Sequence, residues 1–212
     1  MSRSSESGER VPQAPDHDRQ SGHVALLLID LINDFSFPGG KELHDRVMGA
    51  LEPIRSLRDA VEAAGGVTIY VNDNFGEWHS DKSRLVARAI EKGSVVAREL
   101  RPRDDDYFII KPQFSGFYAT NLPVLLPKLG ADRLILAGTA TDICVLFTAA
   151  DAHMRDYALW VPSDANVAEG DDRHRWALEI MAQSMGAETE PTSQLTVSGW
   201  LDRLNASSAR RD

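Results

Sequence analysis

Five short apolar runs, separated by stretches of helical periodicity, constrain this chain more than any other feature. They fall at 23–30, 67–71, 107–111, 134–137 and 159–161. The first, His23-Val-Ala-Leu-Leu-Leu-Ile-Asp30, is nearly continuous rather than alternating. A strand apolar on both sides is covered on both faces, as in the middle of a parallel sheet. Between the runs lie helical patterns at 43–64, 81–100 (broken near Gly93), 121–129, 143–155 and 171–185, with a last one at 195–204. Val47, Leu51, Ile54, Leu57 and Val61 mark one apolar face, and Gly65-Gly66 stops that helix. A short edge strand is expected near 187–189. This alternation predicts an α/β fold: a single doubly wound, Rossmann-like, mostly parallel sheet flanked by helices.

The 212 residues suffice for one sizeable domain, expected over 22–205. Residues 1–21 are polar without an apolar core and read as a disordered tail rather than a secretory signal; 206–212 should fray. A net charge of −9 is a poor match to nucleic acid or an anionic membrane surface. No run approaches a membrane span, and a single cysteine forms no internal disulfide and no zinc cluster. A cytoplasmic protein without membrane or nucleic-acid partners is expected. The chain lacks G-x-G-x-x-G after its first strand and lacks a G-x-x-x-x-G-K-[ST] motif, so dinucleotide and Walker-type phosphate binding lose their usual support.

Open α/β sheets bind ligands at the carboxyl ends of their strands. Three chemically able residues fall there. Asp30 ends the first run; it reads either as a site carboxylate or as a cap on the next loop. Lys111 ends the third run; it needs a carboxylate partner or a task, unless its stem snorkels at the edge. Cys144 follows the fourth run across Gly138-Thr-Ala-Thr-Asp-Ile. Thr141 or Asp142 suits a helix N-cap, which puts Cys144 in a first helical turn, where unpaired N–H groups and the dipole favour thiolate. Such a cysteine is a nucleophile or a small buried hydrophobe. Asp34, in a turn-rich loop, reads as ordinary loop chemistry. The loop 72–79 is polar and aromatic; Trp78 either packs beneath it or meets ligand, and His79 reads as solvated.

Taken together, the three are coherent. The loops after the first and fourth strands flank the switch point of such a sheet, and a lysine can reach over it. A carboxylate can take the thiol proton, a lysine can keep that carboxylate ionised, and a thiolate attacks a carbonyl.

In Leu27-Leu-Ile-Asp30-Leu-Ile-Asn33-Asp34-Phe35, in Lys111-Pro112 with Phe114-Ser-Gly-Phe-Tyr118, and in Gly138-Thr-Ala-Thr141-Asp-Ile-Cys144-Val145, the chain resembles the isochorismatase-like cysteine hydrolases. That superfamily includes nicotinamidases, N-carbamoylsarcosine amidases and ureidoacrylate hydrolases. The resemblance, over about 23–192, implies Asp30 as base, Lys111 as its partner and Cys144 as nucleophile. It also implies a cis peptide at Thr139–Ala140, an oxyanion hole from the N–H groups of Ala140 and Cys144, and a homodimer or homotetramer. Phe35, Asn72, Trp78, Phe114 and Tyr118 are the residues expected to face a small-molecule substrate, with Phe114, Phe117 and Tyr118 either walling the site between subunits or packing within the chain.

Nicotinamidases of this family carry an Asp-x-His metal motif after the second strand. Here that stretch is Asn72-Asp73-Asn74-Phe75. No metal and no cofactor are therefore expected. Members that cleave isochorismate do not need the cysteine, so Cys144 favours C–N hydrolysis through a thioester. The alternatives are isochorismatase-type vinyl-ether hydrolysis and a noncatalytic oligomeric binding protein on the same fold.

Overall fold

The computed structural model describes residues 23–208. The tail expected over 1–21, and residues 209–212 of the segment expected to fray, lie outside the described residues. Among these residues six strands form one parallel sheet: β1 (His23–Ile29), β2 (Val67–Asp73), β3 (Tyr107–Lys111), β4 (Ala131–Thr139), β5 (Ala158–Trp160) and β6 (Asn166–Val167). Seven helices flank it: α1 (Gly40–Ala63), α2 (Lys82–Glu91), α3 (Val95–Glu99), α4 (Leu122–Lys128), α5 (Leu146–His153), α6 (Asp171–Met185) and α7 (Val197–Ser208). A π-helical turn, Thr141–Val145, leads directly into α5.

The strand order is β3-β2-β1-β4-β5, with β6 pairing the last residues of β4. The chain therefore builds outward from β1 on one side, then crosses to its other side. The reversal lies between β1 and β4, as the sequence predicts for a doubly wound sheet.

Alternation along β1 explains why both faces are covered. Val24, Leu26 and Leu28 join one apolar cluster with Val47, Ile54 and Leu57 of α1 and Trp200 of α7. Ala25, Leu27 and Ile29 join the other, with Leu126 of α4, Ala149 of α5 and Met181 of α6. Burying each such leucine contributes about 1.5–3 kcal/mol, and truncating Leu27 to alanine should cost about 2–5 kcal/mol.

Local chemistry sets the joints. Gly93, at φ +89°, separates α2 from α3; Asp81 and Ser94 cap the two helices by accepting from Arg84 N (3.0 Å) and Ala97 N (3.2 Å). Gly138, at φ +139°, lies beside Ile29 in the register, and a Cβ there would sit 2.1 Å from Ile29 O. Only glycine lets β4 approach β1 this closely.

Four local expectations change. Helix α1 starts at Gly40, because Gly39 in the left-handed region turns the chain into it. The edge strand expected near 187–189 is a single bridge, Glu188 to Trp160. The two-residue strand β6 was not anticipated. Helix α7 runs to Ser208, so 206–208 continue it rather than fray.

Candidate active site

Asp30 follows β1 at φ +54°, a left-handed conformation that aspartate tolerates better than most residues. Its N–H donates to Val71 O (3.0 Å), and its Oδ1 accepts from Asp73 N (2.7 Å). Beside it, Asn72 Oδ1 accepts from Ile32 N and Asn72 Nδ2 donates to Ile32 O, both at 3.0 Å. The ends of β1 and β2 are thus bolted together around the carboxylate.

Lys111 is the last residue of β3 and lies opposite Asp73 of β2. Its side chain is 0% exposed and reaches past β2. Nζ lies 2.9 Å from Asp30 Oδ2, 3.4 Å from Asp73 Oδ2 and 3.3 Å from Cys144 Sγ. Three partners match the three protons of an ammonium.

Cys144 arrives from β4. The Thr139–Ala140 peptide is cis, and Ala140 O accepts from Ile143 N (3.1 Å) and Val145 N (3.2 Å) to open the π-helical turn. Neither Thr141 nor Asp142 caps that turn with its side chain, contrary to the sequence expectation. Both are drawn instead to α6: Thr141 Oγ1 hydrogen-bonds His174 Nδ1 (2.9 Å), and Asp142 pairs with Arg173.

The electrostatics follow from burial and crowding. Burial raises the Asp30 pKa above the usual carboxylate range, against the opposing charge of Lys111 and hydrogen bonds from Cys144, Lys111 and Asp73 N. Burial also works against the Lys111 ammonium, but Asp30 and the other anionic partners outweigh it and hold the lysine protonated. The Cys144 thiol is pushed well above its ordinary range by burial and then by the charge of Asp30, with Lys111 opposing. This overturns the expectation of a lowered thiol pKa. The lysine is present, but it already serves two carboxylates, and a thiolate would be a third anion around one cation.

An isochorismatase domain model matches residues 24–193. The chain belongs to the isochorismatase family. It is 36% identical over 172 residues to an uncharacterized isochorismatase family protein, YaaI, of Bacillus subtilis, covering 81% of this chain and 95% of the relative. It is 37% identical over 181 residues to an isochorismatase of the same organism, covering 82% of this chain but 56% of that protein. The crystal structure of N-carbamoylsarcosine amidase from Thermoplasma acidophilum superposes with a TM-score of 0.65 at 30% identity, covering 82% and 99% of the two chains. This isochorismatase-family chain is a hydrolase.

Asp30, Lys111 and Cys144 meet, and the other expected site residues separate into two groups. Phe35 is 8% exposed and packs in the core, edge-on to His44 at 5.2 Å. Asn72 is 1% exposed and its amide is spent on Ile32 and Asp73 O, so it braces the strand ends rather than offering itself to a substrate. Trp78, Phe114 and Tyr118 are exposed, at 77%, 50% and 59%. Phe114 lies tilted against Phe147 (ring centroids 5.6 Å apart), whereas Phe117 is buried against Tyr157 and Arg155. A surface depression of about 630 Å³ beside α2 includes none of Asp30, Lys111 and Cys144.

Two residues of the site were not singled out from the sequence. Asp73 is a second carboxylate on Lys111; its place at the carboxyl end of β2 was the available signal. His174 had no sequence signal, because its tie to Thr141 spans 33 positions.

The residues after β2 do not fit the metal of the nicotinamidase branch. Asp73 is engaged by Lys111 and Phe75 N, Asn74 Oδ1 accepts from Gly76 N, and Phe75 has no ligand atom. Among the described residues, no group of three or more His, Cys, Asp or Glu could hold a metal ion. No helix among them is long and apolar enough to cross a membrane.

Proposed function

We propose that this protein is a metal-independent cysteine amidohydrolase that cleaves a C–N bond of a small amide or carbamoyl compound through a Cys144 thioester. The observation that carries it is Lys111 Nζ, set between Asp30 Oδ2 at 2.9 Å and Cys144 Sγ at 3.3 Å. That arrangement pairs a base, a proton-bearing nucleophile and a fixed cation in a buried setting.

Asp30, made more basic by burial, takes the thiol proton as the substrate carbonyl approaches. The sulfur attacks the carbonyl carbon, and the oxyanion accepts from the N–H groups of Ala140 and Cys144. Asp30 returns the proton to the departing nitrogen, which leaves as ammonia or an amine. Water then gives a proton to Asp30 and attacks the thioester. The acid departs, the proton returns to sulfur, and the thiol is restored. Lys111 stays protonated throughout and stabilises whichever of Asp30 or Cys144 carries charge.

Vinyl-ether hydrolysis is the second reading, favoured by the isochorismatase relative. A screen of small amides with ammonia detection, followed by intact mass measurement of quenched reactions, separates the two. A covalent acyl adduct on the wild-type chain, absent in Cys144→Ala together with turnover, supports the thioester. Full activity of Cys144→Ala on a vinyl ether, with no amide turned over, overturns it.

Self-association is part of the same proposal. Phe114 and Phe147 form an exposed aromatic pair, each three residues along the chain from Lys111 or Cys144, Tyr118 is exposed as well, and the chain is read as a homodimer or homotetramer acting on a small molecule in the cytoplasm.

A further inference from the structure

The catalytic cycle above leaves Asp73 without a task. Its Oδ2 lies 3.4 Å from Lys111 Nζ, and its Oδ1 accepts from Phe75 N at 2.6 Å. Its side chain is 30% exposed, against 9% for Asp30 and 0% for Lys111. Asp73 is therefore the member of the ionic group that solvent and an incoming molecule meet first.

Among the described residues, no cation besides Lys111 pairs with Asp30 or Asp73. The neighbouring arginines are committed elsewhere: Arg88 to Asp34 and Glu77, Arg173 to Asp142 and Glu169. With Asp30 and Asp73 ionised, Lys111 as its ammonium and the thiol neutral, the centre carries one net negative charge. In a half-buried setting such a charge acts over several ångströms and sorts approaching ions by sign.

We propose that Asp73 is a specificity-determining residue that selects neutral or cationic amides and disfavours substrates bearing a carboxylate near the scissile bond. A carboxylate only accepts hydrogen bonds, so its complement is an N–H donor: a primary amide, a ureido group or an ammonium. The inference rests on the amidohydrolase reading for its meaning as substrate class, but its test needs no turnover.

Cys144 is the only cysteine in the chain, so a thiol reagent reports on this site alone. The full-length protein is treated with two methanethiosulfonates of similar size, one carrying a quaternary ammonium and one a sulfonate. Second-order rates are followed by intact mass. Taking the ratio of the two rates cancels any change in the thiol's own reactivity. The wild-type ratio should favour the cation and collapse as salt is raised. Asp73→Asn should lower it about tenfold, whereas Asp73→Glu should keep it, as a single nearby charge requires. A ratio unchanged in a folded Asp73→Asn protein overturns the inference. A wild-type ratio indifferent to salt also overturns it, even if the variant fails to fold. An amide screen without turnover would sink the amidohydrolase reading and leave this ratio standing. An unchanged ratio in an active amidase would sink only the role of Asp73.

Discussion

Lys111 Nζ stands 2.9 Å from Asp30 Oδ2 although β3, which ends in Lys111, and β1, which Asp30 follows, are separated by β2. The pair is made by a side chain crossing a strand, and both charges are desolvated. If the two act as a unit, Asp30→Asn and Lys111→Ala should each lower kcat/KM by about 10²–10⁴-fold. The double variant should lose far less than the two losses combined. The stability costs should differ. Asp30→Asn leaves the lysine on Asp73, at about 1–3 kcal/mol, whereas Lys111→Ala strands two carboxylates, at about 3–5 kcal/mol. A double-mutant cycle with urea melts checks both; strict additivity would show that the residues act separately.

The thiol offers a pH test. Its folded pKa is raised, so at any given pH less of it is thiolate than in an ordinary cysteine. Alkylation of the unliganded protein by iodoacetamide should be slow at neutral pH and climb only beyond the ordinary thiol range. Asp30→Asn removes a charge that raises the thiol pKa, so it should speed alkylation while abolishing turnover. Slower alkylation in that variant would mean that the carboxylate activates the thiol even without substrate.

Dialysis against a chelator should leave amidase turnover unchanged, because Asp73 is held by Lys111 and Phe75 carries no ligand atom. Loss of rate restored by zinc would contradict the metal-independent proposal.

Light scattering at micromolar concentration should find a dimer or tetramer. Phe147→Ser, which alters the exposed aromatic pair without touching Asp30, Lys111 or Cys144, should weaken association and raise KM. A fully active wild-type monomer would count against any subunit-shared wall.

The sheet and the convergence of Asp30, Lys111 and Cys144 were readable in the sequence from the strands. Strands buried on both faces appear as unbroken apolar runs, and the residues that end those runs collect at one sheet edge. Asp30 and Lys111 were found this way, and Cys144 as a residue of the turn that follows the fourth run. Asp73 obeys the same rule, but Asn72 and Asn74 on either side make its surroundings look like loop. Thr141 and Asp142 have the composition of helix caps, yet α6 supplies them with His174 and Arg173, partners that no local pattern reveals. Phe114, Phe117 and Tyr118 are alike in sequence and divide by packing alone: Phe117 points inward, the others outward.

Gly138 has a consequence for how such a centre can change. It sets β4 against β1 by contact of main chain with main chain, and Asp30 follows one of those strands as Cys144 follows the other. The gap between Asp30 and Cys144 is thereby a dimension of the scaffold. Substitutions along the rim can alter which molecules enter, but a wider or narrower gap would demand rebuilding the two central strands. Redesign for new substrates belongs in the loops, with the span between them left alone.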